Sequence, residues 1–414
     1  MSAMHHFQYR NGTLHAEEIG VPELAEKYGT PLYVYSAATL RRHFQAFDSA
    51  FNGLKHMTCY SVKANSNLSV LRLLAEMGAG MDIVSGGELY RALKAGVPAS
   101  KIVYSGVGKK AQEIREALEA DILMFNVESM AELERINKVA KSMGKVARVG
   151  FRINPDVDPK THPYISTGMK KNKFGLDIEH SLKAYQRAKE MDAVEPVGMD
   201  CHIGSQLTTI EPFLEALDKL IAFYNRLKDM GISISYLDLG GGLGITYNEE
   251  EPPHPAEFGK ALSEKLQELP LTVIFEPGRV ISGNAGIMVT EVVYTKKTPS
   301  RDFVIVDAAM NDLIRPSLYD SYHRIAEVQQ NGRDELTVDV VGPICESGDF
   351  LARDREMPAV HEGELLAVFS AGAYGFTMSS NYNSRRRACE LLVDGDTVTV
   401  ARARESYEDL VRGE

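Results

Sequence analysis

Between Met57 and Phe275 the chain alternates strand-like and helix-like segments eight times, and no other feature restricts its fold so tightly. The candidate strands are Met57–Val62, Met81–Val84, Ile102–Ser105, Ile122–Asn126, Ala147–Ile153, Val197–His202, Tyr236–Leu239 and Thr272–Phe275. Helical periodicity fills the intervals, as in Leu68–Met77, Ala111–Leu118, Met130–Met143, Ser181–Lys189, Phe213–Met230 and Pro255–Leu269. Short apolar runs separated by amphipathic helices indicate parallel strands whose faces the helices cover. Eight such units suit a closed parallel (β/α)8 barrel better than an open sheet.

After Gly283 the pattern changes. Gly286–Lys296, Phe303–Asp307, Leu336–Val341, Leu365–Ser370, Glu390–Val393 and Thr397–Ala401 are strand-like and lack long helices between them. They predict an antiparallel β-domain, a barrel or sandwich. Leu32–Tyr35 precedes the barrel without a βα partner and is placed with these strands. The expected division is therefore residues 37–283 as barrel, with 1–36 and 284–414 forming the β-domain. Residues 1–31 are polar and broken by glycine and proline, and no element is assigned there.

A chain of 414 residues can bury two cores. Its net charge of −11 disfavours nucleic acid or an anionic membrane surface as partner, and Arg385-Arg386-Arg387 is too short to offset it. The four cysteines, Cys59, Cys201, Cys345 and Cys389, are scattered without metal-ligand spacing. They read as reduced thiols of a cytoplasmic protein, with no metal expected. No apolar run suits a signal peptide or a membrane span.

In a βα barrel, chemistry sits at the C-terminal ends of the strands. Here those ends carry Lys63, Asp82, Ser105, Asn126, Arg152, His202, the turn Gly240–Gly244 and Glu276. Each has an ordinary reading on its own: an exposed lysine, a hydrogen-bonded histidine, a tight turn, a solvated carboxylate. Their shared position on one rim favours a site. Glycines let backbone N–H groups approach an anion, and loops after the seventh and eighth barrel strands commonly bind phosphate. A lysine amine, a flat imidazole, a phosphate cradle and a carboxylate able to hold a ring nitrogen protonated are the components of a pyridoxal phosphate site.

The β-domain adds Gly342-Pro343-Ile344-Cys345-Glu346-Ser347-Gly348-Asp349, which sets a thiol beside a carboxylate. It also holds the small-residue loop Ala371-Gly372-Ala373-Tyr374-Gly375-Phe376 and the pair Arg315 and Tyr319, four apart and able to read a carboxylate together. Taken singly, these loops are more often structural.

Several of these stretches, in this order, resemble the fold-type III pyridoxal-phosphate-dependent decarboxylases over nearly the whole chain. The carrying residues are Tyr60–Asn65, His162–Gly168, Asn172–Gly175, His202–Gln206, Leu239–Gly244, Glu276–Arg279, Cys345–Asp349 and Tyr374-Gly375. The resemblance implies a (β/α)8 barrel with a C-terminal β-domain, working as a homodimer with shared active sites on a small amino-acid substrate. It implies that Lys63 carries the cofactor, His202 stacks on its ring and Glu276 pairs with the ring nitrogen. Ser205, Gly242, Gly278, Arg279 and Tyr374 would surround the phosphate. Arg279, Arg315, Tyr319, Glu346 and Tyr374 would hold the substrate, and Cys345 would return a proton to the reacting carbon. Asp82, Glu88 and Arg152 resemble positions that support the site. The resemblance implies decarboxylation of meso-2,6-diaminopimelate to L-lysine and CO2, and arginines suit the second carboxylate of that substrate. The alternative is a sister activity on arginine, carboxynorspermidine or ornithine.

Overall fold

The computed structural model describes residues 5–158, 168 and 172–414, which fall into two compact units. One comprises Phe44–Ile245 and Glu251–Val280; the other comprises Met1–His43, Thr246–Glu250 and Ile281–Glu414.

In the first unit the eight expected strands form a closed parallel barrel in chain order. They are His56–Ser61, Gly80–Ile83, Ile102–Tyr104, Met124–Val127, Ala147–Arg152, Val194–Asp200, Tyr236–Asp238 and Thr272–Phe275. Closure falls where Val273, Ile274 and Phe275 pair with His56, Met57 and Thr58. The sixth strand begins at Val194, ahead of its expected start, because Glu195 and Pro196 interrupt the apolar run in its first half. Its register shifts between Pro196 and Gly198, where proline has no N–H for the ladder.

The helices start where local chemistry directs. Asn67, Ser85, Ser129 and Asp177 each cap a helix by accepting a backbone N–H, from Ser69, Glu88, Glu132 and Glu179 respectively. Alternation along the last strand sends Ile274 inward, where it packs with Cys59, Val103 and Met124. Phe275 points outward and stacks on Phe51 with ring centroids 3.8 Å apart. Glu276, two residues beyond Ile274, is thereby aimed at the barrel axis.

The second unit is built on a nine-stranded sheet. Its main path runs Phe350–Pro358, Glu335–Val341, Asp302–Val306, Gly286–Lys297, Leu32–Ser36, Cys389–Asp394 and Thr397–Arg402. Leu32–Ser36 joins it between Gly286–Lys297 and Cys389–Asp394. The sheet is mixed rather than antiparallel throughout. Leu32–Ser36 runs parallel to Cys389–Asp394, and Asp302–Val306 runs parallel to Glu335–Val341.

The N-terminal residues are ordered too. Phe7–Arg10 and Thr13–Ala16 form a hairpin, Ile19–Gly20 adds a third strand, and helix Val21–Tyr28 follows. Asn11 and Gly12 turn the hairpin at φ 50° and 78°. That Asn-Gly pair is the local signal an overall polar composition hid. Leu14, Val21 and Leu24 bury themselves against Leu32, Val34, Ile287 and Leu391. Among the described residues no helix is long and apolar enough to cross a membrane.

Candidate active site

Lys63 lies in a single helical turn, Val62–Ala64, directly after the first barrel strand. Its Nζ donates to Asp82 Oδ2 at 2.6 Å. Barrel register sets this contact up, because Ser61 is paired with Asp82 on the next strand. Ser61 Oγ lies 2.9 Å from both Asp82 Oδ2 and the Glu276 carbonyl oxygen, tying the first, second and eighth strand ends together.

Beneath this rim sits a group of carboxylates. Asp200 and Asp238 are register partners on adjacent strands, and each offers an oxygen within 4.8 Å of the other's and of one from Glu276. Asn126 Nδ2 donates to Asp238 Oδ2 at 3.0 Å, the Gly240 N–H donates to Asp238 Oδ1 at 2.9 Å, and Ser105 Oγ lies 3.3 Å from Glu276 Oε1. Burial, then the charges of Asp238, Asp82 and Asp200, push the Glu276 carboxyl well above the usual range. Burial likewise pushes Asp238 up to about 6 and raises Asp200. Oδ1 of Asp82 and Oδ1 of Asp200 are buried and accept no hydrogen bond from the described residues. Clustered carboxyls of this kind are short of positive charge, and a cation beside them would restore their ionised forms. The donor set therefore fits a protonated ring nitrogen.

His202 follows the sixth strand, and its Nδ1 accepts the Gly241 N–H at 3.2 Å. A neutral ring in that contact carries its proton on Nε2. Burial, then the charges of Arg152 and Lys63, holds its pKa well below the ordinary histidine value, so the imidazole is neutral at pH 7. Arg152 donates to the His202 carbonyl at 3.3 Å and to Glu128 Oε1 at 2.8 Å. Glu128 Oε2 in turn accepts the Gly175 N–H at 2.7 Å.

The glycine turn has the backbone its composition requires. Gly242 adopts φ +120°, and a Cβ there would stand 2.6 Å from the Gly204 carbonyl oxygen. Gly278 packs against the Lys63 turn, where a Cβ would meet those of Ala64 and Ser61 at 3.0 and 3.1 Å. Arg279 donates to Ser205 Oγ at 3.0 Å, so two residues expected around the phosphate are already in contact. Glu88 is tied to its own helix start, accepting the Val84 N–H at 2.7 Å, and burial pushes its carboxyl up to about 7. Of the motif His162–Gly168, His162–Thr167 lie outside the described residues.

In the second unit, Arg315–Tyr319 is a one-turn helix with Arg315 buried. Arg315 Nη1 lies 3.0 Å from His323 Nε2, and its Cζ is 4.6 Å from the Tyr247 ring centre. The Cys345 loop is pinned by Asp349, whose carboxylate accepts the N–H groups of Met310 and Ile344, both at 2.7 Å. This leaves Cys345 exposed, with Glu346 accepting the Tyr382 hydroxyl at 2.8 Å. Tyr374 sits half-buried at φ 57° in its small-residue loop.

Asp200, Asp238, Glu128 and His323 were not singled out from the sequence. For the two aspartates a signal existed: Met199-Asp200-Cys201 and Leu237-Asp238-Leu239 each set one acid inside an apolar strand, where it must be buried.

Residues 37–283 match the family model described as the pyridoxal-binding domain of pyridoxal-dependent decarboxylases. The chain belongs to this family of pyridoxal-dependent decarboxylases. Within it, the chain is 53% identical to diaminopimelate decarboxylase of Haemophilus influenzae over 98% of both chains. Two solved structures are similar over nearly their full length. Diaminopimelate decarboxylase from Helicobacter pylori complexed with L-lysine gives a TM-score of 0.92 at 45% identity, covering 94% of this chain and 98% of that one. The M. jannaschii diaminopimelate decarboxylase in co-complex with L-lysine gives 0.93 at 43%, covering 98% and 96%.

Proposed function

We propose that this protein is a pyridoxal-phosphate-dependent carboxy-lyase converting meso-2,6-diaminopimelate to L-lysine and CO2, the last step of bacterial lysine biosynthesis. The observation that carries the substrate assignment is the near full-length similarity to diaminopimelate decarboxylases. Pyridoxal phosphate, when bound, supplies the electron sink that accepts the pair released as CO2 leaves. The chain's own residues do the rest. Lys63 offers the amine for the cofactor, and the Asp82 carboxylate, 2.6 Å from its Nζ, orients it. Glu276 would hold positive charge on the ring nitrogen, because a carboxylate beside a pyridinium favours its charged form. His202, kept neutral, offers a flat face that does not repel the cationic ring. Ser205, Gly242, Gly278, Arg279 and Tyr374 are assigned to the phosphate.

Arg279, Arg315, Tyr319, Glu346 and Tyr374 are assigned to the substrate, with arginine forks on its carboxylate. The exposed Cys345 thiol is assigned the proton that returns to the reacting carbon. The working unit is proposed to be a homodimer, acting in the cytoplasm, in which Cys345 and Glu346 serve the partner subunit's cofactor. Arginine, ornithine and carboxynorspermidine are not favoured, because the relatives about half identical to this chain are named diaminopimelate decarboxylases.

The test is CO2 release and L-lysine formation by the cofactor-loaded protein from meso-diaminopimelate, beside arginine, ornithine and carboxynorspermidine. Turnover confined to diaminopimelate is expected; comparable turnover of another member of the panel would overturn the assignment. A second result is expected for Glu276→Gln. The amide keeps the shape and the contact to Ser105 but cannot hold a pyridinium charge. Turnover should fall by about 10²-fold or more, on the scale of the lost ion pair, while the cofactor still co-purifies. Near-wild-type turnover would reassign the ring nitrogen to Asp200 or Asp238.

A further inference from the structure

We propose that His323 and Tyr247 form a clamp that fixes the Arg315 guanidinium, making them positioning residues for discrimination of the substrate's distal carboxylate. The inference rests on the reading of Arg315 as the grip on that carboxylate. It starts from a fully buried histidine that the reaction itself does not use.

His323 Nδ1 lies 2.9 Å from the Phe369 carbonyl oxygen. A carbonyl only accepts, so Nδ1 carries the proton. In a neutral imidazole Nε2 is then an acceptor, and it stands 3.0 Å from Arg315 Nη1, which only donates. The tautomer is thus set from both sides. Tyr247 completes the enclosure. Its ring meets His323 edge to face at 5.3 Å and 77°, and it lies under the guanidinium with Cζ 4.6 Å from its centre. Arg315 Nη2 also donates to Ser321 Oγ at 3.3 Å.

A long, flexible arginine normally loses rotamer freedom when it binds a carboxylate. Here the plane of the fork is held by hydrogen bonds on both terminal nitrogens and by an aromatic face, so that ordering is done during folding. The forked donors can then demand a bidentate carboxylate at a set position.

The experiment uses the cofactor-loaded enzyme and measures KM and kcat for meso-diaminopimelate, competitive inhibition by L-lysine, cofactor absorbance and melting temperature. L-lysine is the probe because it retains the amino-acid end that Arg315 would hold. His323→Asn keeps a donor toward Phe369 but loses the acceptor for Arg315; His323→Gln keeps an acceptor near the Nε2 position. His323→Asn should raise KM and the lysine inhibition constant together by about tenfold, the scale of a lost hydrogen bond to a charged group. His323→Gln should stay within about threefold of wild type, and both should keep the cofactor spectrum. Equal losses in the two variants, or losses in kcat or cofactor retention with KM unchanged, would overturn the clamp. Should the His323 variants not fold, Tyr247→Leu carries the test, with a rise in KM expected and an unchanged KM counting against the clamp. Arg315→Ala measured alongside separates the two ideas. If it leaves KM unchanged, the reading of Arg315 fails and the clamp fails with it. If it raises KM while the His323 and Tyr247 variants do not, only the clamp fails.

Discussion

Lys63→Ala protein is expected to fold and to lose turnover by about 10⁴-fold or more, the scale on which removing a covalent-catalysis group acts. The fold should survive because the Lys63 side chain is about a third exposed and packs no core. Val62 and Ala64, both buried, anchor the turn, and Asp82 keeps its contact to Ser61. The melting temperature should fall, because Asp82 is left buried without its cation, but the cooperative unfolding transition should remain. The cofactor, no longer tethered, should be lost on desalting along with its long-wavelength absorbance. Retained turnover, or a wild-type spectrum after desalting, would remove Lys63 from its role. The same variant tests the shared site. Mixed with Cys345→Ala under conditions of subunit exchange, it should regain part of the activity, because one of the two sites in a heterodimer would then contain both intact residues. Confirmed exchange without any recovery would show that each site is complete within one chain.

Arg315→Ala is expected to collapse the preference for a substrate with two carboxylates. The wild-type protein should favour meso-diaminopimelate over L-lysine as substrate by about 10³-fold or more in kcat/KM, since donors built for a carboxylate are left unmatched by a substrate lacking it. Removing the guanidinium takes away the fork and should lower kcat/KM for diaminopimelate by about 10²-fold, with little change in any residual turnover of lysine. The guanidinium also lies on Tyr247 and against His323, so its loss opens space in a buried region. Melting curves and the cofactor spectrum should accompany the kinetics. A wild-type ratio near unity, or a ratio unchanged by the substitution, would return the substrate question to the sister decarboxylases.

The barrel was legible because it is written in local signals. Each strand is a short apolar run, each helix has its own periodicity, and Asn67, Ser85, Ser129 and Asp177 cap helices within two or three residues of themselves. Strand order then follows from chain order, since parallel neighbours joined by a helix leave few other topologies. The strand ends carrying Lys63, Asp82, His202 and Glu276 came with that reading. The β-domain was legible only as a set of strands. Its pairing of Leu32–Ser36 with Cys389–Asp394 joins opposite ends of the chain, and nothing near either strand encodes a parallel partner so distant.

The sequence by itself determined the barrel, the rim on which the polar residues lie and, through its resemblance, the chemistry they serve. Only the tertiary structure decided the electrostatics. Register alone places Asp200 opposite Asp238, and strand alternation turns Glu276 toward them, so that three carboxyls share one buried volume. Their raised pKa values come from that crowding and from lost water, neither of which any of the three residues carries in its neighbours along the chain. The same holds for Arg315. Its partner His323 is eight positions away, but the tautomer that makes His323 an acceptor is set by the Phe369 carbonyl on a distant loop. Local periodicity specifies elements because it acts between near neighbours, whereas proton positions depend on what folding brings together from far apart.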